Sequence, residues 1–167
     1  MYKHKGASPF VIITSLLALL LWMIIIFNLS AQPAAQSDRL SKKVTKVIIN
    51  TVDKISHLDT GENQAMDLVE KLNHIVRKYA HGGVFFVLGI LVMNVFSRSG
   101  VRGFKALVFS LLFSILYAVS DEIHQLSVAG RGAQVMDVFI DSCGAFIGIG
   151  LYRVADRIVR KYRVSSK

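Results

Sequence analysis

The chain has 167 residues, 53% of them hydrophobic, and carries 20 Lys and Arg against 11 Asp and Glu. Its mean hydropathy is +0.48, so there is too much apolar mass for a disordered chain, and the length allows one core. The single cysteine, Cys143, excludes a disulfide scaffold and a cysteine-type zinc site.

The distribution of charge separates a membrane protein from a greasy soluble bundle. Phe10 to Phe27 holds no charge over 18 residues, roughly 27 Å of helix at about 1.5 Å per residue, close to the hydrocarbon thickness of a bilayer. Lys3 and Lys5 precede this run and Ala31, Ala34 and Ala35 follow it, the outline of a cleaved leader. Its apolar stretch exceeds the roughly 7–15 residues of a leader core, so a retained span is expected. A second run, Gly82 to Ser97, is entered through Arg77, Lys78 and His81. A third, Ala106 to Ser120, is closed by Asp121 and Glu122. A fourth, from about Val135 to Tyr152, is interrupted by Asp137 and Asp141. With flanking polar residues at the interfaces, the four runs predict an all-α polytopic membrane protein in one domain. The expected spans are 9–29, 77–97, 103–121 and 134–153, followed by a basic tail over 154–167. Four such runs in a soluble bundle would need a polar coat that this chain lacks.

Basic residues orient the spans. Lys3 and Lys5 at the tip, Arg98, Arg102 and Lys105 around the loop after span two, and the Arg- and Lys-rich tail mark one side. The loop between spans three and four carries only Arg131. Short basic segments stay cytoplasmic, which places both ends inside and two loops outside. The charge excess is therefore a topology signal, with the lipid bilayer as partner and no nucleic acid implied.

The first outer loop, Ser30 to Lys78, has eight basic and six acidic residues and is too long to be structureless. Leu40, Val44, Val47, Ile48, Val52, Ile55 and Leu58 fall on one helical face, with Ser37 or Asp38 as N-cap. Met66, Val69, Leu72, Val76 and Tyr79 form a second stripe leading into span two. Two amphipathic helices lying on the outer membrane face, or a lid over a site between the spans, both fit this pattern.

Polar groups intrude where the spans should be apolar. Arg77, Lys78 and His81, then Asp121, Glu122, His124 and Gln125, then Asp137 and Asp141, all come to the outer end of the bundle under this topology. Asp137 and Asp141 are i and i+4 and share a face, which Gly144 and Gly148 nearly extend as a close-packing pair. Ala129-Gly130-Arg131-Gly132 reads as a turn that projects Arg131 over the same pocket, and Ser30 and Gln32 add candidate polar contacts after span one. A lone carboxylate at that depth costs several kcal/mol unless it is paired or hydrated. Asp121, His124, Asp137 and Asp141 are the candidate acid–base groups. Arg77, Lys78, His81, Glu122, Gln125 and Arg131 are the candidate substrate-binding groups, the guanidiniums as clamps for a phosphate or carboxylate. His81, His124, Asp121, Asp137 and Asp141 offer mixed ligands suited to zinc or manganese, but no ligand pair of high specificity is present. An ion-pair lattice that pins the helices is the competing reading of the same residues.

The series Arg77-Lys78-x-Ala80-His81, Leu88-Gly89, Asp121-Glu122-x-His124-Gln125, Gly130-Arg131, Asp137-x-x-x-Asp141 and Gly144 resembles the VanZ-like family, bacterial membrane proteins named for teicoplanin resistance. Asn28-Leu29-Ser30-Ala31-Gln32 is similar to that family's polar ending of span one. Gly82 and Val84 depart from the pattern, standing where many members carry an aromatic and an acidic residue. The resemblance implies a protein of the bacterial cytoplasmic membrane with a role at the cell surface, affecting glycopeptide or lipopeptide action. It supplies no reaction and no cofactor. Three functions are then in play. The first is an enzyme or binder for an anionic lipid-linked or cell-wall precursor, and the second a structural adaptor whose polar lattice only fixes the helices. The third is a proton-coupled carrier, disfavoured by the few ionisable groups in the inner halves of spans three and four.

Overall fold

Long apolar runs without interior proline have one stable solution in lipid, the helix, because every backbone group must be satisfied within its own segment. The computed structural model describes residues 7–33, 36, 38, 39, 41–45, 47, 51 and 62–165, with side chains for all of these except 62–71, 74, 160 and 163–165. Among the described residues there is no strand. Four long helices dominate: α1 Pro9–Ser30, α2 Glu62–Arg98, α3 Gly103–Gln125 and α4 Val135–Ser165. Each contains a stretch long and apolar enough to cross a membrane, over Pro9–Ser30, Ile75–Arg98, Gly103–Gln125 and Val135–Val159. Two boundaries differ from expectation. The third helix runs four residues past Asp121, which draws Asp121, Glu122 and Gln125 inside the bundle. The segment expected as a basic tail is helical through Ser165.

Residues 36, 38, 39, 41–45 and 47 of the first loop are helical as well. Asp38 lies within that helix rather than capping it, while Ser37 and most of the predicted apolar stripe lie outside the described residues. Asp38 accepts hydrogen bonds from Lys42, at 2.9 Å, and from the amide of the buried Asn73, which fastens this short helix to α2.

The tightest packing joins α2 to α4, and small residues make it possible. A side-chain carbon on Gly144 would lie 2.9 Å from the Gly82 carbonyl carbon, and one on Gly148 would lie 3.0 Å from that of Phe86. The two backbones therefore pack against each other with no room for a side chain at Gly144 or Gly148. A side-chain carbon on Gly82 itself would meet Ile140 Cγ2 at 3.1 Å, so an aromatic side chain there would have to displace Ile140. Helix α1 has almost no apolar reason to join the bundle, since lipid tails are as apolar as its leucines. Hydrogen bonds hold it instead: Trp22 Nε1 donates to the Val84 carbonyl at 3.0 Å, Tyr117 Oη donates to the Met23 carbonyl at 2.7 Å, and Asn94 Nδ2 donates to Ser15 Oγ at 3.0 Å. Leu19 and Ile26 then interdigitate with Phe85, Leu88, Val92 and Ala118. Leu17, Leu21, Leu116 and Phe139 face outward, as a lipid-exposed surface requires.

Candidate functional site

All four helices deliver polar side chains to one end of the bundle. Ser30 closes α1 and is fully buried. Its hydroxyl donates to Asp121 Oδ2 of α3 at 2.7 Å and lies 3.2 Å from His81 Nε2 of α2. The other ring nitrogen, Nδ1, meets Asp141 of α4, at 2.9 Å from Oδ2 and 3.1 Å from Oδ1. Gln125 Nε2 donates to the same Asp121 oxygen at 3.1 Å. A continuous chain therefore links Asp121, Ser30, His81 and Asp141 across the bundle. Asp121 and Asp141 are 4% and 2% exposed, so these partners supply the hydrogen bonds that water would otherwise give. The imidazole also stacks on Phe85 one turn away, at a centroid distance of 5.5 Å.

Beside this chain lies a cavity of about 380 Å³. His81 and Asp141 form part of its wall, together with Lys78, Gln125 and Asp137. Arg77 and Arg131 line it from α2 and from the loop between α3 and α4. Gly130, at φ +76°, takes the left-handed conformation that turns this loop, and Arg131 follows it into the cavity wall. Burial, and then the neighbouring Arg77 guanidinium, hold Arg131 below the usual guanidinium range. Among the described residues neither guanidinium has a carboxylate at ion-pair distance. Lys78 is engaged: its ammonium sits 2.7 Å from Asp137 and 3.1 Å from the Gln134 side-chain oxygen. Leu29, Val44, Val84 and Ile140 give the cavity an apolar wall.

Not every residue singled out in the sequence reaches the cavity. Asp121 stands behind His81, joined to it by two hydrogen bonds through Ser30. Glu122, buried, accepts a hydrogen bond from the Gln134 backbone N–H and so anchors the approach to α4 instead of facing the cavity. His124 is turned away and stacks on Phe27 of α1 at 4.2 Å. Among the described residues no group of three or more His, Cys, Asp or Glu side chains is arranged to hold a metal ion. Ser41 and Val44 of the first-loop helix line the cavity. Gln134 also lines the cavity, and no sequence signal marks it.

These features define a multi-pass helical membrane protein with a polar cavity at one end of its bundle. A family model described as VanZ/LLP1 matches residues 15–156, and the chain belongs to that family. No curated protein and no solved structure matches the chain.

Proposed function

We propose that the cavity binds an anionic, lipid-linked substrate of the cell envelope and that His81 and Asp141 act on it as an acid–base pair. The observation that carries this reading is the pair of guanidiniums, Arg77 and Arg131, that line one cavity with no carboxylate at ion-pair distance among the described residues. Two like charges turned toward a part-buried space repel each other, and an anion between them relieves that repulsion. The apolar wall of Leu29, Val44 and Val84 suits the first carbons of a lipid tail. Basic residues Arg98, Arg102, Lys105, Arg153 and Arg157 stand at the far end of the bundle, which favours an extracytoplasmic cavity and cytoplasmic chain ends. In a bacterial membrane this site would meet wall precursors on their lipid carriers, the setting in which glycopeptide susceptibility is modulated. Asp137 and Glu122 support the other reading, a lattice that only fixes packing, because both are spent on protein partners.

The test is calorimetric titration of the detergent-purified protein with a short-chain phosphatidic acid, the matching neutral diacylglycerol and inorganic phosphate. Phosphatidic acid is expected to bind far more tightly than the diacylglycerol, and Arg77→Gln or Arg131→Gln to weaken it at least tenfold. Equal binding of the charged and neutral lipids sinks the proposal. Tight binding of phosphate alone points to a soluble ligand.

A further inference from the structure

We infer that Ser30 is the positioning residue of this site: it pins the His81 ring with Nε2 protonated and confines the exchangeable proton to the pair formed by His81 Nδ1 and Asp141. The inference rests on the reading above only in taking His81 and Asp141 as the acid–base pair.

Asp121 Oδ2 faces two donors, Gln125 Nε2 at 3.1 Å and Ser30 Oγ at 2.7 Å, so it acts as an acceptor. A serine hydroxyl has one hydrogen, and here it is committed to Asp121. What Ser30 presents to His81 Nε2 at 3.2 Å is therefore a lone pair, and only an N–H can meet it. With Nε2 protonated, Nδ1 faces both oxygens of Asp141 and exactly one proton must lie between them, on the ring as imidazolium or on the carboxyl. The ring has no other escape. It packs beside Phe85 and faces Asp121 from α3, Asp141 from α4 and the charge of Arg131 from the loop.

The three residue types are those of a serine hydrolase triad, yet the polarity is reversed. In a triad the serine gives its proton to histidine and stands open to substrate. Ser30 gives its proton to a second aspartate and is fully buried, outside the cavity lining. It orients the base and is not a nucleophile. The proton that can reach a ligand is the one on the Asp141 side, where both partners line the cavity.

The experiment is nitrogen NMR of protein carrying labelled histidine in lipid nanodiscs, without ligand. The chain has five histidines, so His81→Gln identifies the signals that belong to His81. The wild-type spectrum is expected to show Nε2 as a protonated ring nitrogen. Ser30→Ala is expected to shift or split both His81 nitrogens, and Ser30→Thr, which keeps the hydroxyl, to restore a single set. An unprotonated Nε2 in the wild type overturns the inference, even if neither variant folds. So does a Ser30→Ala spectrum unchanged from wild type, or covalent labelling of Ser30 by a fluorophosphonate. Because no lipid is titrated, failure of phosphatidic acid to bind leaves these outcomes readable, and an unprotonated Nε2 leaves the guanidinium clamp untouched.

Discussion

The His81 imidazole and the Asp141 carboxylate meet across the α2–α4 interface, Nδ1 2.9 Å from Oδ2, inside the tightest helix contact of the bundle. Gly144 stands one turn beyond Asp141 and lets the two backbones close, so the glycine contact sets the distance between the imidazole and the carboxylate.

Asp141→Asn keeps a hydrogen-bond partner for the His81 ring, its amide donating to Nδ1, and is expected to change stability little. Asp141→Leu removes one partner of a buried pair and is expected to cost about 3–5 kcal/mol. Thermal unfolding in detergent checks both. If Asp141→Asn melts as low as Asp141→Leu, the carboxylate is structural and the acid–base assignment falls.

Gly144→Ala forces a carbon against the Gly82 backbone and is expected to destabilise by about 1–3 kcal/mol. Gly150, on the same helix, has open space around it. Gly150→Ala is expected to be neutral or to stabilise by up to ~1 kcal/mol through helix propensity. Unfolding of the two variants side by side separates close approach from propensity.

Trp22→Phe and Tyr117→Phe each delete one hydrogen bond that ties α1 to the bundle. Within a bilayer such bonds average about 0.6 kcal/mol and reach about 1.7, so each variant is expected to lose stability in that range. Cross-linking between α1 and α2 should fall further in the double variant than in either single one.

Lys78→Met is expected to behave unlike the arginine variants. Its charge is already matched by Asp137, so removing it should cost stability and change anionic-lipid affinity only slightly. Loss of affinity equal to that of Arg131→Gln would make Lys78 part of the clamp.

Asp38 gives a pH test of the first-loop helix. The Lys42 ammonium donating to it is the chief cause holding its carboxyl below the usual carboxylate range, with Asn73 adding to the effect. A depressed carboxyl stabilises the folded form above its unfolded pKa and loses that contribution as pH falls through the folded value. Protection of the helix from proteolysis should therefore be constant from neutral to mildly acidic pH and weaken only below the ordinary carboxylate range. Asp38→Asn should show the weakened state at neutral pH.

The number of spans, their helical nature and the crowding of polar groups at one bundle end are written in the chain, because lipid leaves a charge-free run no alternative to helix. The spacing of Asp137, Asp141, Gly144 and Gly148 likewise implies their shared face, since 3.6 residues per turn is a local rule. Which polar residues share a site is not local. Glu122 and His124 sit within three residues of Asp121, yet one anchors the Gln134 backbone and the other stacks on Phe27. Their directions depend on how α3 is rotated against α1 and α4, which side-chain packing across three helices decides. Ser30 lies 51 residues from His81 and 91 from Asp121, so no periodicity could join them. Only the closure of α1 onto the bundle through Trp22, Tyr117 and Asn94 brings that hydroxyl between an acid and a base.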